Sequence, residues 1–284
     1  MMTLGLTGYP LSHSLSPVIH TAAIQSCELH GRYSLFPVQP EDKPGLKKLL
    51  DRVRNSEITG LNVTIPHKQN VTEFLDELTP TAETIGAVNA ICMKDDKLIG
   101  DNTDAPGFLA DLKKFLTPEI HGHGTLHALV LGAGGAARAV AYALANEKWN
   151  VYLTARRLEQ AHQLAHSFAN YRLPITICKL TNLHAQSLVA TLSLVVNTTP
   201  VGMTPDIARS PWPENMPFPP HAAIYDLVYN PHETTLVREA RLQGRPATTG
   251  LGMLVEQAAL AFESWTGHTP SRQAMFEAIH QTIH

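Results

Sequence analysis

The sequence predicts an α/β protein of two units, each built around a mainly parallel sheet covered by helices. Three observations carry this expectation. Short β-rich runs alternate with helical stretches along nearly the whole chain, the pattern that lays helices on the faces of parallel strands. The run Leu126–Leu131 is dominated by apolar residues, as a strand buried on both faces requires. Directly after it, Gly132-Ala133-Gly134-Gly135-Ala136-Ala137 leads into a helical stretch, so a glycine-rich turn joins strand to helix.

The elements follow in order. Leu4–Thr7 reads as a strand. Ser16 is expected to cap a helix, with Pro17 at its first helical position. Tyr33–Val38 reads as a strand, Leu46–Val53 as a helix and Gly60–Ile65 as a strand. Pro66 is expected to open a further helix, because its fixed φ suits a first turn. Val88–Met93 and Leu98–Ile99 read as strands joined by the polar turn Lys94–Lys97.

A second unit starts after Asp104. A helix through Phe108–Phe115 leads to a polar stretch near His121–Gly124 and then to the strand Leu126–Leu131. Helix Ala136–Ala145, strand Val151–Thr154, helix Leu158–Phe168 and strands Ile175–Cys178 and Leu192–Val196 come next. A proline-rich loop covers Pro200–Pro220, followed by strand Ala222–Leu227 and helix Thr235–Gln243. Helices Met253–Trp265 and Arg272–Ile283 close the chain.

Composition narrows the function classes. With 284 residues, 44% hydrophobic and 17% charged, the chain is of ordinary globular type and can bury a sizeable core. A net charge of -3 forces no basic face toward nucleic acid, although one local pocket can still bind an anion. Cys27, Cys92 and Cys178 are odd in number and far apart, which argues for a reducing compartment. No run reaches the roughly 18–20 apolar residues of a membrane span, and no signal peptide is recognisable. The expectation is a cytoplasmic protein with small-molecule ligands and neither nucleic-acid nor membrane partners.

The turn Gly132–Ala137 has the form GxGxxA. Gly132 permits the tight turn, Gly134 lets backbone approach a pyrophosphate, and Ala137 keeps the helix close to its strand. The helix N-terminus then offers N–H groups and a positive dipole to phosphate. About 20 residues on, where an NAD enzyme usually places an acid on the ribose 2′-hydroxyl, the chain reads Thr154-Ala155-Arg156-Arg157. A guanidinium fork matches a 2′-phosphate, and an anion there would relieve two cations at a helix start. The sequence therefore favours NADP over NAD, against the plainer reading of a solvated charged pair.

Four clusters lie in the N-terminal unit. In Gly8–Pro17, Ser14 and Ser16 sit one residue apart at a loop-to-helix junction and could seat a carboxylate, or Ser16 could simply cap the helix. In Gly60–Lys68, Lys68 is expected in a first helical turn, where the dipole would lower its pKa; an ordinary surface lysine is the alternative. The other two are Ile85-Gly86-Ala87-Val88-Asn89-Ala90 and Gly100-Asp101-Asn102-Thr103-Asp104, each readable alone as a turn signal.

Taken in order and followed by the glycine loop, these clusters resemble the shikimate dehydrogenase family. The segments Asn197–Met203, Tyr225–Tyr229 and Gly250–Ala258 are similar to that family as well, so the likeness spans nearly the whole chain. It implies a catalytic acid/base, Lys68, with Asp104 as its partner. It implies that Ser14 and Ser16 hold a substrate carboxylate, and that Thr64, Asn89, Asp104, Tyr229 and Gln257 line the ring. It assigns the cofactor to Gly132, Ala133, Gly134, Gly135, Ala136, Arg156, Asn197, Thr198, Thr199, Leu227, Gly250 and Met253, with Arg157 added by the charge argument. The implied architecture is a substrate domain of residues 1–104 and 250–284 and a Rossmann-type NADP domain of residues 105–249, with the site in the cleft between them. The implied reaction is the reversible NADPH-dependent reduction of 3-dehydroshikimate, by a monomer or homodimer. The chain departs from the family at Ala155-Arg156-Arg157, where Asn-Arg-Thr is common, and at Thr21, where Asn is common.

Two rivals remain at this point: a quinate/shikimate dehydrogenase of wider substrate and cofactor range, and a non-catalytic sensor of the same small acid. The intact Lys68 and Asp104 speak against the sensor. Fifteen histidines is a high count, but His121-x-His123-x3-His127 lacks the ligand set of a zinc site, and no metal is expected.

Overall fold

The computed structural model describes residues 1–116, 125–179 and 188–283. The chain divides into two compact units, Met1–Gly107 with Leu254–His284, and Phe108–Met253. In chain order the first unit holds β1 (Met2–Gly8), α1 (Ser16–Ser26), β2 (Gly31–Pro37), α2 (Lys43–Arg54), β3 (Gly60–Val63), β4 (Glu77–Leu78), α3 (Pro80–Ile85), β5 (Ala90–Lys94) and β6 (Lys97–Asp101). Then follow α4 (Asp104–Phe115), β7 (His127–Leu131), α5 (Gly135–Asn146), β8 (Asn150–Thr154), α6 (Leu158–Ala169), β9 (Ile175–Ile177), α7 (Leu188–Thr191), β10 (Leu194–Asn197), β11 (Ala223–Asp226), α8 (Thr235–Leu242) and β12 (Ala247–Thr249). Helices α9 (Leu251–Thr266) and α10 (Arg272–Ile283) complete the chain's elements.

The first unit contains a six-stranded sheet in the order β2-β1-β3-β5-β6-β4. β1 pairs in parallel with β2 and β3, and β5 runs antiparallel to both β3 and β6. Strand alternation decides what each face buries. On β3, Leu61 and Val63 join Leu46, Leu49, Leu50 and Val53 in one apolar cluster. Those four leucine and valine positions follow the spacing of one helical face, so α2 covers this side. Its start is fixed by Asp42, whose carboxylate accepts from Gly45 N at 2.8 Å, with Pro44 in the first turn. On the opposite face of β3 stand Gly60 and Asn62. A Cβ on Gly60 would collide with the Trp265 ring, so the missing side chain is what lets α9 lie close to the sheet.

The second unit contains an all-parallel sheet in the order β12-β11-β10-β7-β8-β9. Read from the other edge and renumbered within the unit, this is the doubly wound order 3-2-1-4-5-6, whose switch point lies between β7 and β10. One face packs Leu129, Val195 and Ile224 against α8 through Leu236, Val237 and Ala240. Tyr225 faces the other way and meets Phe108 of α4 edge-on at 5.2 Å. The loop from Pro200 to Pro220 forms no regular element, yet it buries Trp212, Met216 and Phe218 in the same core as α8.

Several expectations need correction. Ser16 is not a cap: it is the first residue of α1, Leu15 occupies the cap position, and no side chain caps the helix. Pro66 opens no α-helix. The Ile65–Pro66 bond is cis, and residues after β3 run through turns into a short 3-10 helix, Asn70–Phe74. Lys68 therefore does not stand in the first turn of a helix of its own. The elements β4, α3, α7 and β12 are short and carry little periodic signal, and none was expected. His121 and His123 lie outside the described residues, and no metal-binding cluster occurs among the described residues.

β5 and β6 are joined by Asp95 and Asp96, both with positive φ, 49° and 60°. This turn matches the twist of the strands but strains two residues that have a Cβ. Asp95→Asn with Asp96→Gly is expected to stabilise the fold by about 0.5–1 kcal/mol. The midpoint of urea unfolding, with an unchanged slope, is the measurement.

Candidate functional site

In the first unit, segments far apart in sequence converge on one carboxylate. The Lys68 ammonium donates to Asp104 Oδ2 at 2.5 Å, and Asn89 Nδ2 donates to the other oxygen at 2.9 Å. Lys68 is 17% exposed and Asp104 only 7%. A charge-assisted bond in so dry a place is strong, and both partners keep a fixed orientation.

Each member is held by backbone. Val88 N donates to Lys68 O at 2.7 Å, and a ring nitrogen of the buried His67 bonds Val38 O at 2.8 Å. These contacts anchor the turn that carries Lys68 to β5's approach and to the end of β2. Asn89 lies just before β5. Its Oδ1 accepts from Thr103 N at 2.7 Å, which ties it to the segment leading into α4 and Asp104. Its Nδ2 also donates to Gln257 Oε1 at 3.2 Å. Gln257 reaches it because α4 and α9 approach closely at Gly107, where a Cβ would meet Gln257 N at 2.7 Å.

Of the expected substrate residues, Lys68, Asp104, Asn89 and Gln257 are thus brought into one hydrogen-bonded group. Thr64, half-buried, donates its backbone N–H to Thr7 O at the end of β3. Ser14 and Ser16 are half-buried at the start of α1, where Ser14 Oγ accepts from Ser16 N at 3.2 Å. In the first turn of α1 Pro17 has no N–H, Ser16 N donates to Ser14 Oγ and Ile19 N donates to Leu15 O, so the two serine hydroxyls are what this turn offers an anion. Tyr229 stands half-buried after β11 in the second unit, and burial pushes its phenol pKa up.

Two buried polar residues had no assignment in the sequence reading. Tyr33 OH donates to Asn62 Oδ1 at 2.8 Å, and Asn62 Nδ2 donates to Asn89 O at 3.1 Å. Asn62 extends the group into the sheet. Its signal was an amide in the otherwise apolar strand Leu61-Asn62-Val63.

The second unit carries the glycine turn between β7 and α5. Gly132 has φ +118°, and a Cβ there would lie 2.5 Å from Thr198 Oγ1, so the position needs glycine on both counts. A Cβ on Gly134 would meet nothing within 4 Å, which leaves the turn open to an approaching ligand. Gly134 also starts α5 without a side-chain cap. Ala133, Gly135 and Ala136 complete the turn, half-buried, and Ala137 is fully buried against the sheet. Beyond β8, Arg156 and Arg157 are exposed, and neither is ion-paired among the described residues. Open turn, uncapped helix and two exposed guanidinium groups fit a phosphorylated dinucleotide.

At the switch point Thr198 Oγ1 donates to Leu131 O at 2.6 Å, and Thr199 N and Oγ1 donate to Asn197 Oδ1 at 2.9 and 2.7 Å. Asn197 itself is fully buried, its amide committed inside the fold; Leu227 is half-buried after β11, and Gly250 and Met253 are buried around the start of α9.

Comparison with known proteins agrees in both units. Residues 6–91 match the family described as shikimate dehydrogenase substrate binding domain, and residues 250–280 match the shikimate 5'-dehydrogenase C-terminal domain. The chain is 38% identical over 276 residues to a shikimate dehydrogenase (NADP(+)) of Shouchella clausii, covering 97% of this chain and 96% of that protein. It is 41% identical over 278 residues to the protein of the same name from Salinibacter ruber, covering 96% and 95%. Among solved structures it is similar to the shikimate 5-dehydrogenase of Thermus thermophilus in complex with NADP(H) and shikimate. That likeness has a TM-score of 0.84 and 38% identity and covers 99% of each chain.

Below this site His20 lies fully buried, stacked on Tyr33 at 4.3 Å, and burial holds its pKa down at about 3, with Asn62 opposing the shift. The folded protein keeps His20 neutral, whereas the unfolded chain takes up a proton below about pH 6.5. Its contribution to stability is therefore complete above pH 6.5 and is lost as pH falls toward 3. Relative to His20→Phe, wild type is expected to lose about 1.4 kcal/mol per pH unit below 6.5. Urea unfolding of both proteins between pH 4 and 7 checks this.

Proposed function

Because this chain belongs to the shikimate dehydrogenase family, we propose that it catalyses the reversible NADPH-dependent reduction of 3-dehydroshikimate to shikimate, on the route to chorismate and the aromatic amino acids. The observation that carries the reading is the half-buried contact between Lys68 and Asp104. Residues of the first unit hold and protonate the acid; residues of the second hold the dinucleotide.

The hydroxyls of Ser14 and Ser16, at the start of α1, receive the carboxylate. Asn89, Asp104 and Gln257, hydrogen-bonded into one group with Lys68, hold the ring hydroxyls together with Thr64 at the end of β3. The pyrophosphate rests on the turn Gly132–Ala136, and Arg156 with Arg157 takes the 2′-phosphate. The chemistry a bound NADPH supplies is the hydride. As negative charge develops on the carbonyl oxygen, the Lys68 ammonium stabilises it and gives up a proton to it. Asp104 keeps the ammonium pointed at that oxygen, and Asn89 keeps Asp104 from rotating away. In the opposite direction neutral Lys68 takes the hydroxyl proton.

The test follows absorbance at the reduced-nicotinamide band with shikimate and quinate, each with NADP and NAD. Turnover with shikimate and NADP is expected; no oxidation of NADPH by 3-dehydroshikimate would leave a binding protein instead. Lys68→Ala is expected to lower kcat by about 10²–10⁴-fold with cofactor affinity little changed. Near-normal turnover in that variant would remove Lys68 from its role. Arg156→Ala combined with Arg157→Ala is expected to raise KM for NADP far more than for NAD, and an unchanged ratio of the two would count against the 2′-phosphate assignment.

A further inference from the structure

We propose that Asp226 is a positioning residue for the dinucleotide, acting through Asn197 to hold the 197–199 loop against the glycine turn. The inference rests on the NADP reading above and adds to it a residue that would touch neither cofactor nor substrate. Asp226 ends β11, has no solvent exposure, and stands in register with Asn197 of β10. Its Oδ1 accepts from Asn197 Nδ2 at 2.8 Å and from Val228 N at 3.0 Å, and its Oδ2 accepts from Thr234 Oγ1 at 2.6 Å. All three partners are neutral donors, and burial pushes the carboxyl pKa up. A buried carboxyl without a cation contributes little net stability, since desolvation offsets its hydrogen bonds. Its value here is directional.

An amide side chain can flip and exchange its donor and acceptor ends. At Asn197 the carboxylate decides the matter. It draws the NH2 group to itself and so turns Oδ1 toward Thr199, whose N–H and hydroxyl both donate to it. The flipped amide would set donor against donor at Thr199 and acceptor against acceptor at Asp226. The same loop carries Thr198, whose hydroxyl lies 2.5 Å from where a Cβ on Gly132 would stand. Asp226 therefore sets, from behind, the surface that faces a dinucleotide at the switch point of the sheet.

The test measures NADPH affinity by nucleotide fluorescence together with steady-state kinetics, on variants checked for folding by circular dichroism. Asp226→Ala is expected to weaken NADPH binding by about 10–100-fold, the size of an effect from unsatisfied buried donors. KM for 3-dehydroshikimate should stay as in wild type. Asp226→Asn should restore affinity to within about threefold, because its carbonyl can still accept from Asn197 and Val228. Thr234→Val removes the hydroxyl that donates to Asp226 Oδ2 and caps α8 at Val237 N, and leaves the bond from Asn197 in place; it should lower the unfolding temperature and leave NADPH affinity unchanged. If Asp226→Ala does not fold, Asp226→Glu replaces it: the charge stays, the acceptor moves by one methylene, and weaker NADPH binding is again expected. Wild-type affinity in the folded Ala or Glu variant overturns the proposal, as does equal weakening in Thr234→Val. Failure of the wild-type protein to bind NADPH would overturn the NADP reading itself, and this proposal with it.

Discussion

Asn89 is the residue on which the first unit's buried polar group depends. A lysine and a carboxylate that meet away from water hold each other strongly but do not by themselves fix where the pair points. Asn89 does so by bonding at once to Asp104, to the backbone of Thr103 and to Gln257. Its backbone carbonyl also receives Asn62, and its N–H donates to Asp101 O. One short polar side chain thereby ties the strand layer, the start of α4 and the middle of α9 to a single carboxylate. Each of these groups is satisfied, which is the condition under which a buried polar network rigidifies rather than weakens a core.

The second unit solves a related problem by different means. Its turn must stay open to a ligand, so the groups that shape it lie behind it. Gly132 keeps clear of Thr198, Thr198 is fastened to the end of β7, and Asn197 is fastened between Thr199 and Asp226. The front of the turn is left to backbone and small residues, with two exposed arginines beyond β8.

Much of this was legible in the sequence, for identifiable reasons. The parallel strands of the second unit announced themselves as apolar runs, and the glycine turn stood where strand meets helix. Lys68, Asp104 and Asn89 lay within motifs whose order pointed to one family. The misses were equally physical. Pro66 looked like a helix start because its fixed φ suits a first turn, whereas here the chain runs through turns into a short 3-10 helix. Ser16 looked like a cap, yet the helix begins on it and Leu15 takes the cap position. Asn62 and Asp226 gave only the faint signal of one polar residue in an apolar strand. Which partner such a residue meets depends on register across the sheet, and that is not written in local spacing.

The division of the chain has a consequence for how the protein is made. The first sheet is laid down by residues near the start, but α9 and α10 come from the end, and Gly60 has been left bare for the Trp265 ring that α9 brings. During synthesis the ribosome delivers the whole of the second unit before that indole exists. The Phe108–Met253 segment can collapse on itself as it emerges, while the earlier sheet has α1 on the face that α9 will complete. The first unit is therefore complete only when the last helices of the chain have been made, although its sheet begins with the first residues.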